Sequence, residues 1–195
     1  MIWNERAIAR ALARQTFHRK YLVVVPNCMW TGHECDLLVV TENLRVVDVE
    51  IKISRADLKA DAAKAKWWHR FGTAYKGVGP DGRAVYETPT PDALEWPRRV
   101  WKHYYALPAD IWTPDLLAAL PSPHSGVILL KRHNSQAGNV IATVERRATP
   151  NREAKPISPA AAIDIARLAS LRMWQAYEAI DAIEAPQRAI EAQTA

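Results

Sequence analysis

Apolar residues recur at helical spacing near both ends of the chain. Residues 3–17 are predicted to form a helix capped by Asn4, because Ile8, Ala11 and Leu12 fall on one face. Residues 159–183 are predicted to form a C-terminal amphipathic helix, and the tail after Glu184 is expected to fray. The apolar stripe of this second helix comprises Ile163, Ala166, Leu168, Leu171, Trp174, Tyr177 and Ile180.

Between these helices, short runs rich in β-branched residues predict strands. The predicted strands cover residues 21–25, 35–40, 44–53, 103–107, 126–131 and 140–147. Residues 29–33 are predicted to be a loop. The connections 41–43 and 134–139 are short enough for antiparallel hairpins.

The remaining segments differ in their periodicity. Residues 54–69 are predicted to be a helix, because Ser54 can cap it and the segment is rich in alanine. Residues 114–120 are expected to form a short helix. Residues 71–100 contain glycines and prolines without periodicity, so they are predicted to be a long irregular excursion. The alternation predicts one α/β domain over 1–195, with its core at about 3–147.

Composition favours a protein with one sizeable core, since 49% of the 195 residues are hydrophobic. Lys and Arg number 26 against 21 Asp and Glu, and the net charge of +5 is compatible with a polyanionic partner. Apolar runs fall far short of the roughly 20 residues that a membrane-spanning helix needs. With no secretory leader visible, a cytoplasmic protein without a membrane partner is expected.

Cys28 and Cys35 flank His33, which raises the question of a metal cluster. Their spacing lacks the short pairing that is typical of zinc sites. The sequence therefore predicts two ordinary reduced cysteines, with a zinc site as the alternative.

Charged residues stand out on the predicted hairpin of strands 35–40 and 44–53. Asp36 lies near the start of the first strand, and Glu50 and Lys52 lie near the end of the second. Strand alternation sets Glu50 and Lys52 on the face opposite Val49 and Ile51, and hairpin pairing can bring Asp36 onto the Glu50 face. Burying charged side chains on a strand is energetically costly unless they are paired or bind a metal. A solvated strand face is the alternative interpretation.

Asp36 and Glu50 offer the oxygen ligands that Mg²⁺ or Mn²⁺ prefers, and the backbone carbonyl of Ile51 could add a third. Lys52 could hold or deprotonate an attacking water. Glu34 shares a face with Asp36, as an accessory ligand or simply a loop charge. Asp48 shares the face of Glu50 but lies farther from the strand end, so it is left outside the predicted site.

The stretch ECDLLVV at 34–40, followed by VDVEIKISRAD at 47–57, resembles the PD-(D/E)xK nuclease superfamily. In that superfamily a helix precedes a hairpin that carries Asp and then Glu-x-Lys, and a second helix follows. More narrowly, VEIKISRADLKAD at 49–61 resembles a segment of phage and bacterial restriction-endonuclease-like proteins, including the MmcB-type DNA repair family. Cys35 stands where a proline often precedes the aspartate.

This resemblance implies a restriction-endonuclease-like core with a central mixed sheet flanked by helices in αβββαβ order. It also implies that Asp36 and Glu50 bind Mg²⁺ or Mn²⁺ and that Lys52 is the catalytic lysine of a DNA endonuclease, in repair, recombination or phage DNA processing. Glu5 could approach the metal, as in some relatives, or simply favour the helix N-terminus. The alternatives are a non-cleaving nucleic-acid-binding module and a structural protein whose C-terminal helix is an interaction or dimerisation element. A homodimer is compatible with the nuclease as well.

Basic residues next to aromatic ones provide candidate DNA contacts, since phosphate charge and base stacking act together on nucleic-acid strands. One such segment surrounds Trp67 and Trp68, at least one of which is expected in the core. A second covers residues 96–103. The predicted DNA contacts are Arg55, Lys59, Lys66, Arg98, Arg99 and Lys102.

Overall fold

The computed structural model describes residues 3–17, 21–132 and 140–194. The helices are α1 (Glu5–Ala11), α2 (Arg55–Ala60) and α3 (Pro159–Thr194). In chain order the strands are β1 (Tyr21–Cys28), β2 (Cys35–Thr41), β3 (Val46–Ile51), β4 (Trp68–His69), β5 (Ala74–Val78), β6 (Ala84–Glu87), β7 (Asp92–Ala93), β8 (Lys102–Pro108), β9 (Gly126–Arg132) and β10 (Val140–Arg146).

Six strands form the central sheet in the order β1-β2-β3-β8-β9-β10. The first three strands form an antiparallel meander, β8 runs parallel to β3, β9 runs parallel to β8, and β10 returns antiparallel to β9. These pairings confirm the predicted α/β class with a central mixed sheet and a C-terminal helix.

One face of the sheet is covered by α1. Val47, Val49 and Ile51 of β3 pack there against Ile8 and Leu12. A π-helical turn continues α1 from Leu12 to Thr16, and Asn4 caps the helix as predicted. Full burial of each large aliphatic side chain contributes about 1.5–3 kcal/mol, so this face anchors β3 in the sheet.

The other face carries two apolar clusters with a polar zone between them. Between the clusters, β3 presents Asp48 and Glu50, with Lys52 following. The first cluster comprises Val25, Cys28, Cys35, Leu38, Val40, Val46, Ile157 and Ile165. The second comprises Leu58, Trp67, Tyr105, Leu107, Leu116, Leu120, Val127 and Leu129.

The predicted helix over residues 54–69 was wrong beyond its first turns. Ser54 does cap α2, accepting a hydrogen bond from the Asp57 backbone N–H at 3.1 Å. The helix then tightens into a 3-10 turn, and Lys64 adopts an extended backbone (φ −65°, ψ 141°). Alanine propensity is a weak effect, and here the burial of Asp61 and Trp67 among tertiary partners overrides it.

Residues 71–100 are not irregular throughout, contrary to the prediction. Strands β5 and β6 form an antiparallel hairpin, and β4 pairs with β7. Gly77, at φ +131°, lies where the hairpin register shifts. Such a bulge interrupts the two-residue alternation by which strands are recognised.

The first strand is longer than predicted, because β1 continues through Pro26 and Asn27 to Cys28. Proline has no N–H to donate, but β1 lies at the edge of the sheet, where this is tolerated. The third strand is shorter and ends at Ile51.

The C-terminal helix extends past its predicted end, to Thr194, and includes Pro186. The domain is contacted by Ile165 together with Ala161, Ala162 and Ala169. The predicted stripe therefore does not face the core. Exposed apolar side chains of α3 include Ile163, Leu168, Leu171, Trp174, Tyr177 and Ile180.

Strands β9 and β10 pair as the predicted hairpin, while their predicted connection at 134–139 lies outside the described residues. Within the described part of the chain, the structure contains no helix that is long and apolar enough to cross a membrane.

Candidate functional site

Asp36 and Glu50 lie at the adjacent ends of β2 and β3. The register pairs Leu37 with Val49, and one step further along the hairpin sets Asp36 beside Glu50. The Ile51 backbone N–H donates a hydrogen bond to Asp36 Oδ2 at 2.7 Å. This bond fixes the Asp36 carboxylate at the end of β3. The Ile51 carbonyl as a metal ligand stays a prediction.

The Asp36 carboxylate lies in an environment that disfavours its negative charge. Burial, and next the Glu50 carboxylate, raise the pKa of Asp36 to about 6, although the Ile51 N–H and Lys52 act in the opposite sense. Two carboxylates that repel each other in this way are stabilised by a cation between them. The donor set at Asp36 and Glu50 therefore fits a hard divalent cation.

Two lysines bridge Glu50 and Asp61. Lys52 Nζ lies 2.8 Å from Glu50 Oε2 and 2.9 Å from Asp61 Oδ1. Lys64 Nζ makes the same two contacts at the same distances. The Lys52 side chain is only 2% exposed, whereas that of Lys64 is 46% exposed. The sequence indicated Lys64 only as part of the basic segment beside Trp67 and Trp68, yet it is the lysine of this pair that faces solvent.

Lys66 supplies a third ammonium. Its Nζ lies 2.7 Å from Glu50 Oε1 and 3.2 Å from Asp48 Oδ2. The prediction of Lys66 as a DNA contact was wrong, because the turn at Ala65–Trp67 directs its side chain into the protein. Burial acts to lower the pKa of Lys66, but Asp48 and Glu50 outweigh burial and raise it.

Asp61 is a functional candidate that the sequence analysis missed. Its Oδ2 accepts hydrogen bonds from Tyr105 Oη at 2.5 Å and from Trp67 Nε1 at 3.1 Å. Burial acts to raise the pKa of Asp61, but Lys66 and Lys52 outweigh it and hold the pKa below its usual range. One signal was present in the sequence, since Asp61 lies three residues after the apolar Leu58 and so shares its helix face.

Asp48, which was left outside the predicted site, is fully buried within it. His33 Nε2 lies 3.3 Å from Asp48 Oδ2, and His103 Nε2 lies 3.8 Å from the same oxygen. Burial acts to raise the pKa of Asp48, but Lys66 and His33 hold it below its usual range. Three carboxylates thus face three ammoniums in a balanced set. We call this set the charge cluster, and its members are Asp48, Glu50, Asp61, Lys52, Lys64 and Lys66.

His103 borders the charge cluster as a neutral imidazole. Burial and the Lys66 ammonium lower the pKa of His103 to about 3. Its Nε2 lies 3.3 Å from Lys66 Nζ, and its Nδ1 lies 3.0 Å from Ser125 Oγ. Because Lys66 can only donate, Nε2 accepts from it, which assigns the proton to Nδ1 and the donation to Ser125.

The predicted accessory carboxylates are not part of this arrangement. Glu5 is exposed in the first turn of α1, which covers the sheet face opposite Glu50. Glu34 is exposed in the loop that precedes β2. The structure therefore does not bring Glu5 into the charge cluster, and Glu34 has the position of a loop charge.

Three of the predicted DNA contacts, Arg55, Lys59 and Lys102, divide between the two faces of the sheet. Arg55 and Lys59 are exposed on α2, on the Glu50 side. Lys102 pairs in register with Val47, on the face that α1 covers, and its ammonium lies 4.5 Å from the centre of the Trp101 ring. Lys102 therefore does not share a face with Glu50.

The two arginines at 98 and 99 are exposed just before β8. The guanidinium of Arg99 lies 5.4 Å from the centre of the Trp30 ring, over the loop between β1 and β2. Of the adjacent tryptophans, Trp67 is buried and Trp68 is partly exposed, which confirms a core position for one of them.

Neither a protein-family model nor a curated protein sequence matches this chain. The chain is similar in structure to SPO1766, a protein of unknown function from Silicibacter pomeroyi, with a TM-score of 0.49 and 17% sequence identity. That likeness covers 95% of this chain and 94% of the other. The resemblance to the PD-(D/E)xK superfamily accordingly rests on the motif residues themselves.

Proposed function

We propose that this protein is a Mg²⁺- or Mn²⁺-dependent DNA endonuclease of the PD-(D/E)xK type that acts in the cytoplasm in repair, recombination or phage DNA processing. The observation that carries the proposal is Asp36 beside Glu50 at the ends of β2 and β3, with Lys52 2.8 Å from Glu50. The order of the elements supports it, because an antiparallel meander, then α2, then the parallel strand β8 agree with the αβββαβ order of a restriction-endonuclease-like core.

Asp36 and Glu50 are the residues that would hold the cation. When bound, a divalent cation supplies Lewis acidity and neutralises charge that develops on the phosphate. The raised pKa of Asp36 supports this role, because a cation relieves its repulsion with Glu50. The Ile51 N–H keeps one Asp36 oxygen in place.

The lysines have different tasks in this proposal. Lys52, the predicted catalytic lysine, is buried between Glu50 and Asp61, so in this proposal it orients the two carboxylates. Lys64 contacts the same carboxylates with nearly half of its side chain in solvent, so its ammonium can meet a phosphate oxygen. A preorganised cation at that point stabilises the negative charge of the transition state.

Exposed basic and aromatic side chains on the segments that flank the charge cluster along the chain fit a nucleic-acid strand. Arg55 and Lys59 project from α2. From Lys66 the chain runs directly into Trp68 and then into the β5–β6 hairpin, where Tyr75 and Tyr86 are 58% and 63% exposed. Exposed aromatic rings near positive charge are the surfaces on which bases stack.

A non-cleaving DNA-binding module is the second candidate, and one observation favours it. Both oxygens of Glu50 already lie within 2.8 Å of lysine ammoniums. The charge cluster is thereby balanced without a cation. In this case the protein binds DNA through the same surface and does not turn it over.

Wild-type cleavage separates the two candidates, and Asp36→Asn tests the proposed metal ligand. Asparagine can still accept the hydrogen bond from Ile51 and removes the repulsion with Glu50, so the fold should be as stable as the wild type at neutral pH, or more stable. Cleavage of DNA with Mn²⁺ should fall by about 100-fold or more, in line with the loss of a transition-state contact. The matched control is Glu42→Gln, an exposed carboxylate in the turn after β2, which should retain wild-type cleavage.

A second readout does not depend on turnover. Mn²⁺ should raise the melting temperature of the wild type and of Glu42→Gln, and should leave Asp36→Asn unchanged, because ligand binding to the folded state stabilises it by mass action. DNA binding without cleavage in the wild type would favour the non-cleaving module. Equal cleavage by Asp36→Asn and the wild type would exclude the proposed metal ligand.

A further inference from the structure

The loop between β1 and β2 folds back over Asp48. Thr31 Oγ donates a hydrogen bond to the His33 carbonyl at 2.9 Å and lies 3.5 Å from Cys35 Sγ. The His33 ring is thereby directed inward, with Nε2 3.3 Å from Asp48 Oδ2. One ligand-type atom each of His33, Cys35 and Asp48 lies within 4.8 Å of the other two. A nitrogen, a sulfur and a carboxylate oxygen therefore converge at one point.

Protein encloses these three ligand atoms except on the side of His33. Cys35 and Asp48 are fully buried, whereas the His33 side chain is 15% exposed. Within the described part of the chain, no geometrically defined hydrogen bond reaches the buried Asp48 Oδ1. A buried acceptor without a partner is unfavourable, so a ligand that takes up this oxygen stabilises the fold. Burial, and next the Asp48 carboxylate with which the thiol interacts, raise the pKa of Cys35, so a metal at this point displaces a firmly held proton.

We propose that His33, Cys35 and Asp48 form a Zn²⁺ site, separate from the Asp36–Glu50 pair. Imidazole, thiolate and carboxylate are the three ligand types of zinc, whereas Mg²⁺ prefers an all-oxygen shell. Zinc bonds of about 2.0–2.3 Å in a tetrahedron set the ligand atoms roughly 3.5 Å apart, so separations of up to 4.8 Å close by at most about 1.3 Å. Three protein ligands leave the fourth position for water on the exposed side of His33.

Binding requires one proton to leave. The Cys35 thiol gives its proton to solvent and its sulfur lone pair to the metal, His33 binds through a neutral ring nitrogen, and Asp48 binds as the carboxylate. Lys66 borders this site, because its ammonium contacts both Asp48 and Glu50. The zinc site and the Asp36–Glu50 pair thus share Lys66 but no ligand.

Co²⁺ tests the proposal with a spectroscopic signature of the ligands. The full chain, with any affinity tag removed and its thiols kept reduced, is titrated with Co²⁺ and then with Zn²⁺. One equivalent of Co²⁺ should produce a thiolate-to-metal charge-transfer band in the near ultraviolet, and one equivalent of Zn²⁺ should abolish the band. Absence of the band at stoichiometric Co²⁺ would overturn the proposal.

Cys35→Ser and Cys28→Ser form the matched pair of variants, because both thiols are buried and the two residues are register partners of β1 and β2. Cys35→Ser should lose the band and Cys28→Ser should keep it. The reverse pattern, or equal loss in both variants with the fold of each intact by circular dichroism, would contradict the assignment.

His33→Ala covers the case in which Cys35→Ser does not fold, since His33 lies in a partly exposed loop. It should weaken Zn²⁺ binding by at least about tenfold in a chelator competition, with the fold retained. Undiminished binding would refute the site. Asp36→Asn should bind Zn²⁺ like the wild type, so failure of the zinc site and failure of the proposed nuclease site are distinguishable.

Discussion

Lys64 Nζ lies 2.8 Å from Glu50 Oε2, although nearly half of the Lys64 side chain is in solvent. Lys52 reaches the same oxygen from the interior. One carboxylate oxygen therefore contacts two ammoniums, one on a buried side chain and one on a side chain that is nearly half exposed. Burial acts to lower the pKa of Lys64, but hydrogen bonds from Lys64 to Glu50 and Asp61 outweigh it and raise the pKa, so this side chain stays charged at neutral pH.

The exposed lysine should matter for turnover more than for folding. Lys64→Met is expected to lower the cleavage rate by about 100-fold, as expected for the loss of one transition-state cation, while Lys52 still holds Glu50 and Asp61. The control is Lys76→Met, an exposed lysine of β5 that pairs with Glu87. Single-turnover cleavage of DNA measures the effect. Equal rates for both variants would remove Lys64 from the mechanism.

The buried lysine should matter for folding. Lys66→Met removes an ammonium that contacts both Asp48 and Glu50, so the free energy of unfolding should fall by about 3–5 kcal/mol, as for other broken buried ion pairs. Lys76→Met should cost less than about 1 kcal/mol, because its ion pair is exposed. Urea unfolding at pH 7 gives both values. A loss below 1 kcal/mol in Lys66→Met would contradict the buried pairing.

The hydroxyl of Tyr105 should contribute measurably to stability. It donates to Asp61 Oδ2 at 2.5 Å in a buried setting, so Tyr105→Phe leaves that oxygen with the Trp67 N–H and without the hydroxyl. We expect a loss of about 1–3 kcal/mol. Tyr104→Phe is the control, because its ring lies on the opposite face of the sheet. Equal effects in thermal unfolding would contradict the role of this bond.

The neutral state of His103 predicts a pH dependence. The pKa of His103 is about 3 in the folded protein and about 6.5 in the unfolded chain. Below pH 6.5 the imidazole is therefore protonated in the unfolded chain, while it stays neutral in the folded protein until the pH approaches 3. The contribution of His103 is therefore complete above pH 6.5 and is lost as the pH falls from about 6.5 toward 3.

His103→Gln isolates this contribution. The free energy of unfolding of the wild type should fall more steeply than that of the variant between pH 6.5 and 5. Asp36, whose raised pKa acts in the opposite sense over this range, contributes equally to both proteins and cancels in the comparison. Parallel pH profiles would contradict the assignment of His103 as neutral.

The part of the site that lies on one hairpin was predictable from the sequence. Strand alternation and a short turn were enough to bring Asp36 to Glu50 and to separate Val49 from that face. The position of the site residues beyond the hairpin depends on where α2 ends. Once the helix stops after Ala60, Asp61 turns toward Tyr105, a partner 44 residues away in sequence, which no local pattern reveals.

Tertiary packing also accounts for the other differences between the sequence pattern and the structure. Lys66 has the sequence context of a surface lysine, and its burial follows from the turn at Ala65–Trp67. On α3, the alanines and Ile165 contact the domain, although larger apolar residues such as Trp174 dominate the sequence pattern. Whether two copies pair through this helix stays a prediction, which a mass measurement in solution addresses.

Cleavage of covalently closed circular DNA tests the central claim most directly. Wild-type protein is incubated with the circle in the presence of Mg²⁺, Mn²⁺ or a chelator, and the products are resolved on a gel while binding is followed in parallel. The proposed function predicts nicked or linear products with either metal and an intact circle with the chelator. An intact circle under all three conditions, with DNA bound, would contradict it.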